Sequence, residues 1–166
     1  MATAYLMYGF AGAGKTTVAR RLERETRAVR FSSDAWIAHL YGLAPQNMGE
    51  VEVAVKELTW EVAAELLERD ISVILDFGFW SRAERDEARR RVREAGGMCE
   101  LVFVDAPFSK MKRRVAQRNA SLSPDTPGRG LDYLYIDDEA LEAFKSRFEP
   151  LGSDEKHVVT TSEMDV

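Results

Sequence analysis

The stretch Gly9-Phe10-Ala11-Gly12-Ala13-Gly14-Lys15-Thr16-Thr17 constrains this chain more than any other. It separates a short apolar run, residues 4–8, from an amphipathic one, residues 15–26. A loop that only had to turn would not need the lysine. A helix start that only had to be capped would not need the glycines. Glycines let a backbone fold closely around an anion, so that successive N–H groups point inward. The helix that follows adds its positive N-terminal end. At the spacing G-x-x-x-x-G-K-[ST], Lys15 can reach the β- and γ-phosphates of a nucleoside triphosphate, and the Thr16 hydroxyl can ligand Mg²⁺. A glycine-rich turn with a solvent lysine would leave the combined spacing unexplained. The loop contributes Gly9, Gly12, Ala13, Gly14, Lys15, Thr16 and Thr17 to the expected nucleotide-binding set.

Five short apolar runs read as buried parallel strands: AYLMY (4–8), AVRF (28–31), ISVIL (71–75), ELVFV (100–104) and HVVTT (157–161). Helical patterns lie between them. Residues 15–26 place Val18, Ala19 and Leu22 on one face, and residues 50–69 do the same with Val51, Val55, Leu58, Val62 and Leu66. Residues 82–95 form an arginine-rich helix that stops at Gly96-Gly97, and residues 108–119 form a second basic helix. Residues 137–148 start with Asp137-Asp138 as a cap and offer Leu141, Phe144 and Phe148 for burial. This alternation predicts an α/β chain with a doubly wound sheet. Residues 120–134, rich in proline, glycine and small polar side chains, break the rhythm and read as a mobile loop. One domain over 1–166 is expected, with a lid around 113–134 and fraying at the final SEMDV.

Net charge is −5, which argues against a large nucleic-acid footprint. Basic residues nevertheless dominate from Arg82 to Arg118. On the 82–93 stretch the preferred reading is a solvated helix face with partners such as Glu84, Asp86 and Glu87, rather than an anion site. No apolar run approaches the length of a membrane span. The N-terminus reads directly as a strand without a basic leader, and Cys99 is alone, so a cytoplasmic protein without an internal disulfide is expected.

In open α/β sheets the site lies beyond the carboxyl ends of the strands. Three acids follow strand ends: Asp34, Asp76 and Asp105. Asp34 is read either as the group that takes or orients a hydroxyl proton, or as the cap of a helix over AWIAHLYG. Asp76 is read as a Mg²⁺-side residue beside Thr16, holding the ion through water, or as a contact to the substrate, and Asp105 as a turn residue. Phosphoryl transfer needs cations besides Mg²⁺. Arg113, Arg114, Arg118 and Arg129 are the candidates; Arg129 sits between Gly128 and Gly130 in the mobile loop. At least one of these four is expected to be catalytic beside Lys15 and Asp34, and Arg114 joins the nucleotide-binding set. Phe77, Phe79 and Trp80 read as core or as the lining of a substrate pocket. His39 and His157 have no partners at metal-ligand spacing.

GFAGAGKTT, SSDAW, VILDFGFWSRAERDEARRR and LVFVDAPFSKMKRRVAQRN together resemble the small P-loop kinases related to polynucleotide 5′-kinase, zeta toxin and chloramphenicol phosphotransferase, over roughly residues 4–160. The resemblance implies an α/β P-loop NTPase fold, a five-stranded parallel sheet flanked by helices, together with ATP, Mg²⁺ and transfer of the γ-phosphoryl group to a hydroxyl. It implies phosphate and Mg²⁺ binding by Lys15 and Thr16, activation of the acceptor hydroxyl by Asp34, and catalytic lid arginines at Arg118 and Arg129. Polynucleotide kinases carry an arginine three residues after the acid; here that position is Ile37. The expected activity is therefore transfer to a hydroxyl of a small molecule. The alternatives are a polynucleotide or nucleotide kinase, and a nucleotide-gated ATPase or binding module without an acceptor.

Overall fold

The structure is a computed structural model and describes residues 1–162. From its amino to its carboxyl end the described chain runs β1 (Thr3–Tyr8), α1 (Lys15–Thr26), β2 (Val29–Ser32), α2 (Ser33–Tyr41), α3 (Met48–Glu68), β3 (Val73–Gly78), α4 (Arg82–Glu94), β4 (Met98–Val104), α5 (Phe108–Asn119), α6 (Asp138–Arg147) and β5 (Val158–Thr160). Apart from Ser162, the fraying expected of the last residues lies outside the described part. The strands form one parallel sheet in the order β2-β3-β1-β4-β5. β1 is therefore central. The chain builds β2 and β3 to one side of it and β4 and β5 to the other, so the crevice at the carboxyl end of β1 is a topological switch point.

Alternation along β1 splits the core between the two sheet faces. Ala4, Leu6 and Tyr8 pack with Trp60, Ala63 and Leu67 of α3 and with Ala88 and Val92 of α4. Met7 faces the other way and packs with Val18 and Ala19 of α1, Met111 and Val115 of α5, and Leu141 of α6. Helix ends are set by local chemistry. Ser81 and Glu84 form a reciprocal capping box at α4, Asp137 accepts from the Ala140 N–H at α6, and Gly96, at φ 74°, follows the end of α4.

The buried face of α3 differs from the expected one. Val51 and Val55 are buried, but Leu58 and Val62 are 54% and 40% exposed, and the row continues through Thr59, Ala63 and Leu67. Small Thr59 and Ala63 let the helix approach the sheet closely, and the Thr59 hydroxyl is satisfied by the Val55 carbonyl at 2.7 Å. Hydropathy alone ranks leucine and valine above them.

The arginines of α4 are tied to acids: Arg82 to Asp86 and Asp154, Arg89 to Asp86 and Glu155, Arg90 to Glu87 and Glu94, and Arg91 to Glu87 and Glu57. Arg85 is fully buried. It forks onto Glu155 at 2.8 and 2.9 Å and donates to the carbonyls of Phe79 and Trp80. That pair fixes the turn after β3, where Phe79 takes the left-handed region at φ 47°.

Candidate active site

The loop after β1 follows the curve that its glycines permit. Gly12 and Gly14 have φ of 80° and 104°, and a Cβ on Gly12 would lie 2.5 Å from the Met111 carbonyl oxygen. No side chain caps α1, so its first N–H groups remain open to an anion. Lys15 Nζ donates to the Phe10 carbonyl at 3.0 Å across the loop. Burial pushes the Lys15 pKa down, against the pull of Asp76 and Asp34. Arg114 of α5 donates to the carbonyls of Gly12 and Ala13 and to the Ser162 hydroxyl, bracing the loop from outside.

Thr16 Oγ1 donates to Asp76 Oδ2 at 2.9 Å. Asp76 is buried at the carboxyl end of β3, and burial pushes its carboxyl above the ordinary range, opposed by Lys15 and Thr16. This pair of hard oxygen donors fits Mg²⁺, which takes one or two protein oxygens and completes its shell with phosphates and water. Among the described residues no cluster of three or more His, Cys, Asp or Glu is arranged to hold a metal.

Asp34 lies in the first turn of α2, but it is not the cap. Ser32 caps that helix by accepting from the Ala35 N–H at 3.3 Å. The Asp34 carboxyl instead lines a cavity of about 750 Å³ shared with Lys15, Thr16, Asp76 and Arg118. Burial and the negative charge of Asp76 push it up to about 6, while Lys15 and Arg118 pull the other way and Glu52 adds to the rise. Arg118 lies over the Tyr133 ring at 4.6 Å and donates to the Leu134 carbonyl at 3.4 Å. Its buried Nε has no hydrogen-bond partner among the described residues.

Phe77, Phe79 and Trp80 line the same cavity, and Phe79 also belongs to the core. Trp80 is anchored by its indole N–H to the Gly9 carbonyl at 2.8 Å. Arg129 is exposed and does not line the cavity; Asp132, three residues on, does, and it pairs with Arg20 and Arg30. Gly128 passes so close to Ala38 that a side chain there has no room. Asp105 is exposed on a separate apolar cavity beside Phe108, and Arg113 is exposed on α5.

Sequence reasoning overlooked Arg30, Asp132, Glu52, Lys56 and Glu84. Arg30 lies 3.7 Å from both Asp76 and Asp132 and 3.5 Å from Glu23, behind the Thr16–Asp76 pair. A charge inside the apolar run AVRF was the available signal, since a half-buried strand arginine needs an acid at a neighbouring strand end. Nothing local marked Glu52, Lys56 or Glu84, which read as helix surface.

A central parallel strand, a glycine loop and an uncapped helix N-terminus around a cavity with a Thr–Asp oxygen pair define a P-loop nucleotide-binding protein. The chain belongs to the AAA domain family, whose model matches residues 5–151. Comparison with curated proteins finds no match. Among solved structures, a protein of Chloroflexus aurantiacus described as a kinase superposes with a TM-score of 0.72 at 18% identity, over 95% of this chain and 86% of that one. Kti12 of Chaetomium thermophilum, in complex with ADP-AlF3, gives 0.66 at 18% identity, over 98% and 90%. A sugar kinase of Janibacter sp. gives 0.63 at 19% identity, over 98% and 86%. At these identities the likeness establishes the shared fold. Among the described residues no helix is long and apolar enough to cross a membrane.

Proposed function

We propose that this protein is a cytoplasmic ATP-dependent phosphotransferase that moves the γ-phosphoryl group of Mg-ATP to a hydroxyl of a small molecule. The observation that carries this reading is the Asp34 carboxyl, freed from capping by Ser32 and turned into the cavity that holds Lys15, Thr16 and Asp76. A module that only bound nucleotide would have no chemical use for a second acid there, whereas phosphoryl transfer uses one to take or orient the acceptor's proton. The pairing of the α4 arginines with acids takes that helix out of any basic groove that a nucleic-acid substrate would need. The fold shared with a sugar kinase is consistent with a small acceptor.

In the proposed reaction the loop N–H groups and Lys15 hold the phosphates, with Gly9, Gly12, Ala13, Gly14 and Thr17 shaping the cradle and Arg114 bracing it. Thr16 and Asp76 would hold Mg²⁺, which neutralises charge on the β- and γ-phosphates. The acceptor oxygen bonds to the γ-phosphorus as the bond to the β–γ bridging oxygen breaks, and that electron pair leaves with ADP. The acceptor proton passes to Asp34, whose pKa near 6 suits a base at neutral pH. Arg118, from the lid around 113–134, meets charge on the transferred group. Arg129 would contribute only if the lid segment rearranged.

The test is transfer of labelled γ-phosphate from Mg-ATP to a panel of sugars, antibiotics, nucleosides and 5′-hydroxyl oligonucleotides. Lys15→Ala and Asp34→Asn should each lower transfer by about a hundredfold or more, with ATP still bound in Asp34→Asn. Labelled inorganic phosphate as the sole product, unchanged in Asp34→Asn, would instead support a nucleotide-gated ATPase.

A further inference from the structure

Met48, Glu52 and Lys56 follow one another by single turns on one face of α3, and all three line the cavity that contains Asp34. Glu52 is close enough for its charge to act on Asp34. Lys56 Nζ lies 2.7 Å from Glu52 Oε1 and 3.4 Å from Glu84 Oε1, so one ammonium is shared by two carboxylates. Glu84 spends its other oxygen on the N–H and hydroxyl of Ser81. Glu52 Oε2 accepts no hydrogen bond from any described residue, and Glu84 Oε1 has only the long contact from Lys56. Carboxylate oxygens only accept, so a ligand facing this wall must bring donors. Phe77 and Phe79 line the same cavity and offer an apolar face.

The remaining cations of the cavity lie on other walls, Lys15 and Arg118 on the nucleotide side of Asp34. Lys15 and Arg114 bond to the phosphate loop, and Arg118 lies over Tyr133. Arg20 pairs with Asp132. Arg147 is exposed, 5.8 Å over the Trp80 ring. Two carboxylates against one ammonium leave the Glu52–Lys56–Glu84 wall one negative charge in excess. An acidic acceptor would meet Glu52, Glu84 and Asp34 together.

We infer that the acceptor is a hydroxylated amine, such as an amino sugar or an amino alcohol, whose protonated nitrogen is held by Glu52 and Glu84. This rests on the phosphotransferase reading and deepens it. The ammonium at that wall would direct a neighbouring hydroxyl toward Asp34, and compounds carrying a carboxylate or phosphate in the same place would be excluded.

The experiment uses two matched sets: glucosamine, glucose and gluconate; and phenylethanolamine, phenylethylene glycol and mandelate. Binding to the protein loaded with Mg²⁺ and a non-hydrolysable ATP analogue is measured by ligand-observed NMR, and ADP release under Mg-ATP is measured in parallel. In at least one set the amine should bind about tenfold or more tightly than the carboxylate. That preference should fall by about tenfold in Glu52→Gln/Glu84→Gln, while the neutral member changes little. Glutamine at 84 retains the capping box, so the α4 start is preserved. Equal binding of the three members, no binding at all, or a preference that survives the double substitution overturns the inference. Selective amine binding with no ADP release above the acceptor-free rate leaves the subsite standing and removes the phosphotransferase reading instead.

Discussion

Replacing Asp34 by asparagine should make this protein more stable at neutral pH, and the size of the gain follows from its surroundings. Burial and the neighbouring Asp76 raise the carboxyl from its ordinary 3.8 to about 6. Between those two values the native state binds more protons than the unfolded chain, so stability falls as pH rises through the window. A rise of about two units at 1.36 kcal/mol each gives a penalty of at most about 3 kcal/mol, fully present above pH 6 and absent below about pH 3.8. Lys15 and Arg118 already oppose the rise, and their effect is contained in that value. Asparagine has nearly the same shape and no charge. The assay is urea unfolding of wild type and Asp34→Asn from pH 4 to pH 8, free of nucleotide. The variant should match wild type near pH 4 and gain stability progressively to a plateau above pH 6, with a midpoint shift at constant m. An equal or lower stability above pH 6 would refute the reasoning, because it would mean that Lys15 and Arg118 outweigh burial and that the carboxylate is a structural ion-pair member. A gain in stability together with lost transfer is the signature of a functional charge.

Glu155→Gln should cost about 3–5 kcal/mol at neutral pH, because it leaves the fully buried Arg85 without its counter-charge. Arg85 and the N–H of Gly152 hold the Glu155 carboxyl well below its ordinary value of 4.5 despite burial, so its contribution is present above that value and is lost as pH falls toward the native pKa. A wild-type-minus-variant difference that does not shrink in acid would contradict this assignment. Gly12→Ala should destabilise the chain by roughly 1–3 kcal/mol, since φ is 80° and the new Cβ meets the Met111 carbonyl at 2.5 Å. Nucleotide-analogue binding, followed by fluorescence titration, should weaken with it; unchanged binding and stability would mean that α5 gives way without consequence.

The sequence by itself determined whatever depends on near neighbours along the chain. The glycine loop between an apolar run and an amphipathic one marked β1, α1 and the phosphate cradle, and the expected spans 15–26 and 108–119 coincide with α1 and α5. Glycines, caps and proline act over a few residues, so their signals stay legible in a string. The class of fold followed from strands alternating with helices. Tertiary structure decided what depends on who stands opposite. Hydropathy favoured Leu58 and Val62 for the core of α3, yet the sheet accepts the smaller Thr59 and Ala63 because close approach outweighs side-chain size. Whether Asp34 caps α2 is not legible in the string; the fold gives that cap to Ser32 and brings Asp34 within electrostatic reach of Asp76. Arg30 gained its meaning only from acids on α1, β3 and the loop before α6. Glu52, Lys56 and Glu84 come from two helices 28 residues apart at their closest bonded pair. Electrostatic energy depends on separation in space, and only the fold sets that separation.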